Sequence, residues 1–412
     1  MVAKLPSENM HSILSTLNSK KPFQSAFKSI TMAELPSEIR YDILSRIPVK
    51  SLVHCRCVSK QWRNYINDPY FETMYAKRAA VINDPTIIMF RQNPSNVPNS
   101  PCTLSFLEYK EEAGTGSCAL KLNKKPPSME FMCKTSNDRH PRFIVLGSCY
   151  GFLYSSQRHS NDASTFVVIN PIRRECYELP PINTPLRFDS GLGFDESTNS
   201  FKMVCVMANL HPDKEGLCTM VHVLGTGSWR EIPQVPSHPI CGEGVFANGC
   251  MHWLTSRNVY CPIIRFDMKT EEFGVIKPPR EGPLGSYVHL VDLHGEVGFV
   301  YIAINYSVEV WVLKERGWVM HCGFDQKPHL GCGYCSRGLM VLGFWNENGD
   351  ILMTSYQGHQ KLLVYNLKSD SLYESECIGF ERVGPVKDIR VYQSTLFSTR
   401  LFDQTEGKEV TQ

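Results

Sequence analysis

Gly249-Cys250-Met251-His252-Trp253-Leu254, followed after a short interval by Ile263-Ile264-Arg265-Phe266-Asp267, reads as two apolar strands led by a glycine and stopped at an aspartate. Short apolar runs punctuated by Gly, Asn, Asp and Pro are the text of antiparallel β-structure. The pattern occurs twice more, in Gly151-Phe152-Leu153-Tyr154 with Phe166-Val167-Val168-Ile169-Asn170-Pro171, and in Gly349-Asp350-Ile351-Leu352-Met353 with Lys361-Leu362-Leu363-Val364-Tyr365-Asn366. The leading glycines stand about 100 residues apart. Between them lie hairpins of a second kind, Phe201-Lys202-Met203-Val204 leading to Val221-His222-Val223-Leu224, and Gly298-Phe299-Val300 leading to Val308-Glu309-Val310-Trp311. Each interval therefore holds two sheet units of roughly 50 residues, the size of propeller blades. Closing such units into a ring removes the exposed edges that an open array would leave. The expectation is an all-β, β-propeller-like repeat domain, with a two-sheet sandwich as the alternative. Blade number is not legible, and the stretches 102–143 and 386–401 must close the ring.

Upstream, the period changes from two to that of a helix. Leu35-Pro36-Ser37-Glu38-Ile39-Arg40-Tyr41-Asp42-Ile43-Leu44-Ser45-Arg46-Ile47 has Pro36 and acids where a helix begins, and an apolar stripe at Ile39, Ile43, Leu44 and Ile47. Pro48 ends it. A second short helix runs from Val49 towards Val58, a third carries Trp62, Tyr65 and Ile66, and Asp68-Pro69 reads as an N-cap opening a fourth with Phe71, Tyr75 and Ala79. The fold class is α+β multidomain, a small helical module before a large β domain. The divisions expected are an arm over 1–32, the helical module over 33–80, a linker over 81–101, the β domain over 102–401 and a polar tail over 402–412. Within the arm, Leu5-Pro6-Ser7-Glu8 with Ile13-Leu14-Ser15 echoes the first helix.

The whole chain of 412 residues has a net charge of +2, with 42% hydrophobic and 20% charged residues. That excludes a general polyanion binder and a disordered chain. Residues 36–80 hold eight Arg and Lys against four acids, so the helical module is basic and the remainder slightly acidic. A local basic excess suits an acidic partner. DNA is not expected, because the basic residues do not line one helix face. Sixteen scattered Cys without an apolar leader in residues 1–30 point to reduced thiols and a cytoplasmic or nuclear location. No run of 18 apolar residues is present, so no membrane partner is expected.

A bundle of some 45 residues buries little surface. Its apolar helix ends have two readings, an exposed edge for a partner or a private core docked on the β domain.

Leu35-Pro36, Ile43-Leu44, Arg46-Ile47-Pro48-Val49-Lys50-Ser51-Leu52, Arg56-Cys57-Val58-Ser59-Lys60, Trp62 and Asp68-Pro69-Tyr70-Phe71 resemble, in order, an F-box of the plant type. His54-Cys55 departs from the pattern, where plant relatives carry a basic residue and an aromatic. Asn170-Pro171-Ile172-Arg173-Arg174-Glu175, Gly193-Phe194-Asp195, Trp229-Arg230, Asn248-Gly249, Phe266-Asp267 and Trp311-Val312-Leu313 are similar to the F-box-associated (kelch-related) domain of plant F-box proteins. The resemblance implies docking to the Skp-family adaptor, and through it a cullin, by Leu35, Pro36, Ile39, Ile43, Leu44, Ile47, Pro48, Val49, Leu52, Val58 and Trp62. It also implies a substrate-recognition subunit of a Skp–cullin–F-box ubiquitin ligase, non-catalytic, whose β domain binds an unknown protein client.

No catalytic residues, cofactor or metal are expected. Cys332-Gly333-Tyr334-Cys335, near His321, Cys322 and His329, is one Cys-x-x-Cys without a second pair, a weak zinc signal. Gly225-Thr226-Gly227-Ser228 lacks the Lys and the following helix of a phosphate cradle and reads as a hairpin turn. His222, His252 and His289 read as satisfied or surface histidines, and Trp229, Trp253, Trp311, Trp318 and Trp345 as packing residues. The alternative is a β-propeller enzyme or glycan-binding module with a helical appendage, which would need a convergent polar set at the ring's mouth.

Overall fold

At three of the glycines that lead a strand, the chain turns on two residues at positive φ. Tyr150-Gly151 (φ 42° and 79°), Asn248-Gly249 (51° and 73°) and His294-Gly295 (57° and 81°) each join two antiparallel strands. This is the backbone that a two-residue hairpin matched to strand twist demands, and glycine in the second position meets it without a Cβ penalty.

The computed structural model describes residues 34–47, 49–81, 86–92, 102–111, 118–122, 129–131, 144–158, 163–183, 188–208, 216–255, 262–282, 286–305, 307–325, 339–346, 348–355, 361–378, 386–393, 395–399 and 402. Four helices come first: α1 (Ser37–Ser45), α2 (Val49–Cys55), α3 (Lys60–Ile66) and α4 (Pro69–Val81). Then follow β1 (Thr86–Gln92), β2 (Cys102–Glu111), β3 (Cys118–Leu122) and β4 (Met129–Phe131). A second blade contains β5 (Ile144–Cys149), β6 (Phe152–Arg158), β7 (Ala163–Asn170) and β8 (Glu175–Glu178), with β9 (Ile182–Asn183) beside β7. The third is β10 (Phe188–Asp195), β11 (Ser200–Ala208), β12 (Leu217–Val223) and β13 (Arg230–Ile232). The fourth is β14 (Cys241–Ala247), β15 (Cys250–Leu254), β16 (Ile263–Asp267) and β17 (Phe273–Ile276). The fifth is β18 (Tyr287–Asp292), β19 (Val297–Ile302), β20 (Ser307–Lys314) and β21 (Gly317–Asp325). The sixth is β22 (Leu339–Phe344), β23 (Ile351–Ser355), β24 (Lys361–Asn366) and β25 (Ser371–Ile378).

The first blade is assembled from both ends of the β domain. β26 (Val386–Tyr392) pairs antiparallel with β1, which pairs in turn with β2. β3 meets β25 of the sixth blade in parallel, joining the two into one nine-stranded sheet. This corrects the expected linker over 81–101: β1 lies inside it, hydrogen-bonded on both sides, so the β domain starts at Thr86. Among the described residues the six units form a propeller-like ring with β5, β10, β14, β18, β22 and β26 innermost.

Neighbouring blades interlock through aromatic side chains. The indole N–H groups of Trp229, Trp253 and Trp318 donate to the carbonyls of Pro180, Ser190 and Lys277, each on the preceding blade or its exit loop. Trp253 is fully buried and lies against Gly191 and Gly244, where an added Cβ would come within 2.8 Å and 2.5 Å of the indole. His222, His252 and His289 are buried on three different blades, so a surface reading of them is corrected. His289 Nε2 accepts the Val341 N–H and so ties the fifth blade to the sixth. Gly225 to Ser228 form the turn between β12 and β13 as expected. Cys332, Cys335 and the upstream echo lie outside the described residues.

Candidate functional site

Helix α1 has two apolar sides. Tyr41, Leu44 and Ser45 turn inward, and Leu44 joins Val49, Leu52, Ile66, Phe71 and Tyr75 in the module's own core. Ile43 is Leu44's neighbour only in sequence; one helical step rotates it by about 100°. Ile39 is therefore 50% exposed and Ile43 41% exposed, on one side with exposed Pro36. Local hydrogen bonds fix this presentation. The Ser59 hydroxyl accepts the Trp62 N–H at the start of α3, and Asp68 accepts the Tyr70 N–H at the start of α4. Tyr41 donates to Asp68, and burial together with that bond raises its phenol to about 12.

The residues read as one partner-facing set thus divide. Pro36, Ile39, Ile43 and Val58 are exposed, Leu35, Ile47 and Trp62 are half-buried, and Leu44, Val49 and Leu52 are core. The last three are corrected, because a side chain with almost no accessible surface offers a partner nothing. Pro48 lies outside the described residues. The apolar ends thus hold both exposed and core side chains, at different residues.

The module is also docked on the ring. Leu396, beyond β26, is buried in the helical core, and Ala76 of α4 is buried in the propeller core. Arg173, in the turn after β7, donates to the Leu396 carbonyl at 2.6 Å. Phe397 then packs among Phe152, Phe194 and Phe201. Thr73 of α4 donates to Asn199, in the turn between β10 and β11, at 2.9 Å.

In the second to sixth blades, turns after the first and third strands share one face of the ring, which is the face that holds the module. At its centre lies a cavity of about 650 Å³, lined in part by Tyr150, Glu196, Asn248, Asp292, His294 and Lys314. Three of these six are the positive-φ residues of the two-residue turns. Burial pushes the Asp292 carboxyl up to about 6 against the pull of the Gly295 N–H, and pushes His294 down to about 4, leaving that imidazole neutral near pH 7. Lys314 is paired with Glu296. A second cavity of about 360 Å³ shares His294, Glu296, Lys314 and Phe344 with the first and reaches Val319 and Met320, which are exposed. No group of three or more His, Cys, Asp or Glu among the described residues is placed to hold a metal ion. The glycine repeat marks two of these turns in the sequence, at Gly151 and Gly249, but nothing there shows that the residue before each glycine lines a shared cavity.

A family model for the F-box associated beta propeller domain matches residues 102–397, and one for the F-box domain matches residues 32–73. F-box protein At1g47340 of Arabidopsis thaliana is 26% identical over 368 residues, covering 84% of this chain and 76% of that protein. F-box protein CPR1 of Arabidopsis thaliana is 27% identical, covering 69% of this chain and 70% of that protein. F-box/kelch-repeat protein At3g23880, also from Arabidopsis thaliana, is 26% identical, with 69% and 77% covered.

Proposed function

The chain belongs to the F-box associated beta propeller family, and from that premise we propose that it is the substrate-recognition subunit of a Skp–cullin–F-box ubiquitin ligase. The module binds the Skp-family adaptor, and through it the cullin, by the outward side of α1 with Val58. The ring binds a client protein. The subunit makes and breaks no bonds itself; it raises the effective concentration of the client near the conjugating enzyme. The reading is of a cytoplasmic or nuclear protein, and its kelch relationship is supported by the name of one relative.

The observation that supports this most is the exposed apolar side of α1. Pro36, Ile39 and Ile43 stand exposed on a helix whose opposite side already closes a core, so the exposure is not a failure of folding. Co-purification with a Skp-family adaptor tests it. Full-length chain should retain the adaptor, and Leu35→Ala with Pro36→Ala should weaken capture. Absence of adaptor binding by the wild-type chain overturns the reading.

A further inference from the structure

The two cavities on the module-bearing face adjoin at His294, Glu296, Lys314 and Phe344, and together they trace a groove from the ring's hub to the outer strand of the fifth blade. At the hub end, Asp292 has one carboxylate oxygen fixed by the Gly295 N–H at 2.7 Å. Its other oxygen has no hydrogen-bond partner among the described residues, while the side chain lines the cavity. Burial makes that carboxylate costly to ionise alone, and an arriving cation would remove the cost. Glu196 adds a second acid to the wall. Lys314, the one Lys or Arg lining the hub cavity among the described residues, is already matched by Glu296. His294 is neutral near pH 7 and adds no opposing charge. The remaining walls are mixed, and Tyr150, Phe246 and Phe344 are the aromatic rings among them. Tyr150 packs edge-on against Phe246 at 5.4 Å, and Phe344 lies beside His294 at 4.8 Å. Carboxylate beside aromatic rings is the chemistry that holds an ammonium or guanidinium. At the far end Val319 and Met320 are 53% and 46% exposed, an apolar continuation.

We propose that this groove holds an extended segment of the client protein, with a lysine or arginine side chain against Asp292 and an apolar side chain against Val319 and Met320. The proposal rests on the client-receptor reading above and names the chemistry of that client. It also places the client on the same face as the helical module: Glu196 of the groove and Asn199, which accepts from Thr73, belong to one turn.

The test uses the full chain and fluorescent pools of short degenerate peptides with one fixed position, Lys, Arg, Glu or Leu. Pools fixed as Lys or Arg should bind at least about tenfold more tightly than the pool fixed as Glu. Asp292→Asn retains an acceptor for the Gly295 N–H and should abolish most of that preference. Glu196→Gln should reduce it, and Met320→Asp should weaken every pool. Circular dichroism and thermal midpoints of the three variants should match the wild type. No preference for a basic position, or the same preference in both Asp292→Asn and Glu196→Gln as in the wild type, overturns the proposal. Adaptor capture measured on the same preparations separates the two ideas, since peptide preference without adaptor binding sinks only the ligase reading.

Discussion

Glu72 of α4 sits 3.9 Å from the guanidinium of Arg173 and 4.0 Å from that of Arg56, almost wholly buried between the helical module and the ring. Both separations are at the outer limit of an ion pair. Arg173 is committed to the Leu396 carbonyl and to Glu175. Desolvation therefore exceeds the attraction of the two arginines and raises the Glu72 carboxyl to about 7.

A pH dependence follows, with a definite sign. An acid whose folded value lies above its unfolded value binds more protons when folded. Its stabilisation is complete below the unfolded value of 4.5 and is lost as pH rises through about 7. Glu72→Gln keeps the shape of the neutral acid. Across about pH 5 to 8 the wild type should lose stability relative to this variant by up to roughly 3 kcal/mol, since each tenfold difference in proton affinity is worth about 1.4 kcal/mol. Urea denaturation at a series of pH values reads this directly, and parallel pH profiles would refute it.

The two sides of α1 should separate binding from stability. Leu44→Ala removes a fully buried side chain and should cost about 2–5 kcal/mol. Ile39→Ser with Ile43→Ser alters exposed positions and should change stability by about 1 kcal/mol or less, while abolishing adaptor capture. Calorimetry and pull-down on the same samples distinguish these outcomes. Equal loss of stability from both changes would mean that the outward side is not free.

What the sequence discloses and what it hides have physical causes. Hairpins are local: strand, turn and strand fall within some 20 residues, and the Gly at 151, 249 and 349 records a backbone need. The closure of the first blade is not local. β1 pairs with β26 from the far end of the chain, Ile88 opposite Arg390, and no nearby residue signals that partner. Turn-rich text at Asn83-Asp84-Pro85 and after Gln92 makes the seven residues of β1 resemble a linker. On α1, Ile43 and Leu44 belong to one apolar stripe in sequence, and only packing within the module's core decides which faces in. The hub cavity is assembled from Tyr150, Glu196, Asp292 and Lys314 of three blades, a meeting that only ring geometry produces.

Lys202 of β11 is a buried cation shared between blades. Its ammonium donates to the Met268 carbonyl at 2.7 Å and lies 2.9 Å from both Asp195 and Glu271. Burial would raise the Asp195 carboxyl, but bonds from Ser197, Lys202 and Thr198 outweigh it and hold the group far below its ordinary range. Removing the cation leaves a buried carboxylate without its counter-charge. Lys202→Met should destabilise the ring by about 3–5 kcal/mol, and adding Asp195→Asn with Glu271→Gln should restore part of the loss. A cost under about 1 kcal/mol in urea denaturation would show that the cluster is not coupled.

Ring closure converges on Arg390 in β26. Its guanidinium meets Glu243 of β14 through both terminal nitrogens, at 2.6 Å for one, and donates to the Val145 carbonyl of β5 at 2.8 Å. One side chain of the last strand thus touches the second and fourth blades. The buried Tyr392 adds a bond from its hydroxyl to the Gly151 carbonyl at 2.9 Å. Backbone pairing holds β26 to β1 on one side. A planar fork can serve Glu243 and Val145 together, whereas an ammonium cannot reproduce that geometry. Arg390→Lys, keeping the charge, should therefore lower stability by about 1–2 kcal/mol and loosen the closure first. Amides of β1 and β26 should exchange with solvent faster in the variant, while those of β15, inside the fourth blade, keep their wild-type protection. Uniform acceleration across all blades would show that Arg390 supports the whole ring, and unchanged exchange in β1 and β26 would remove it from the closure.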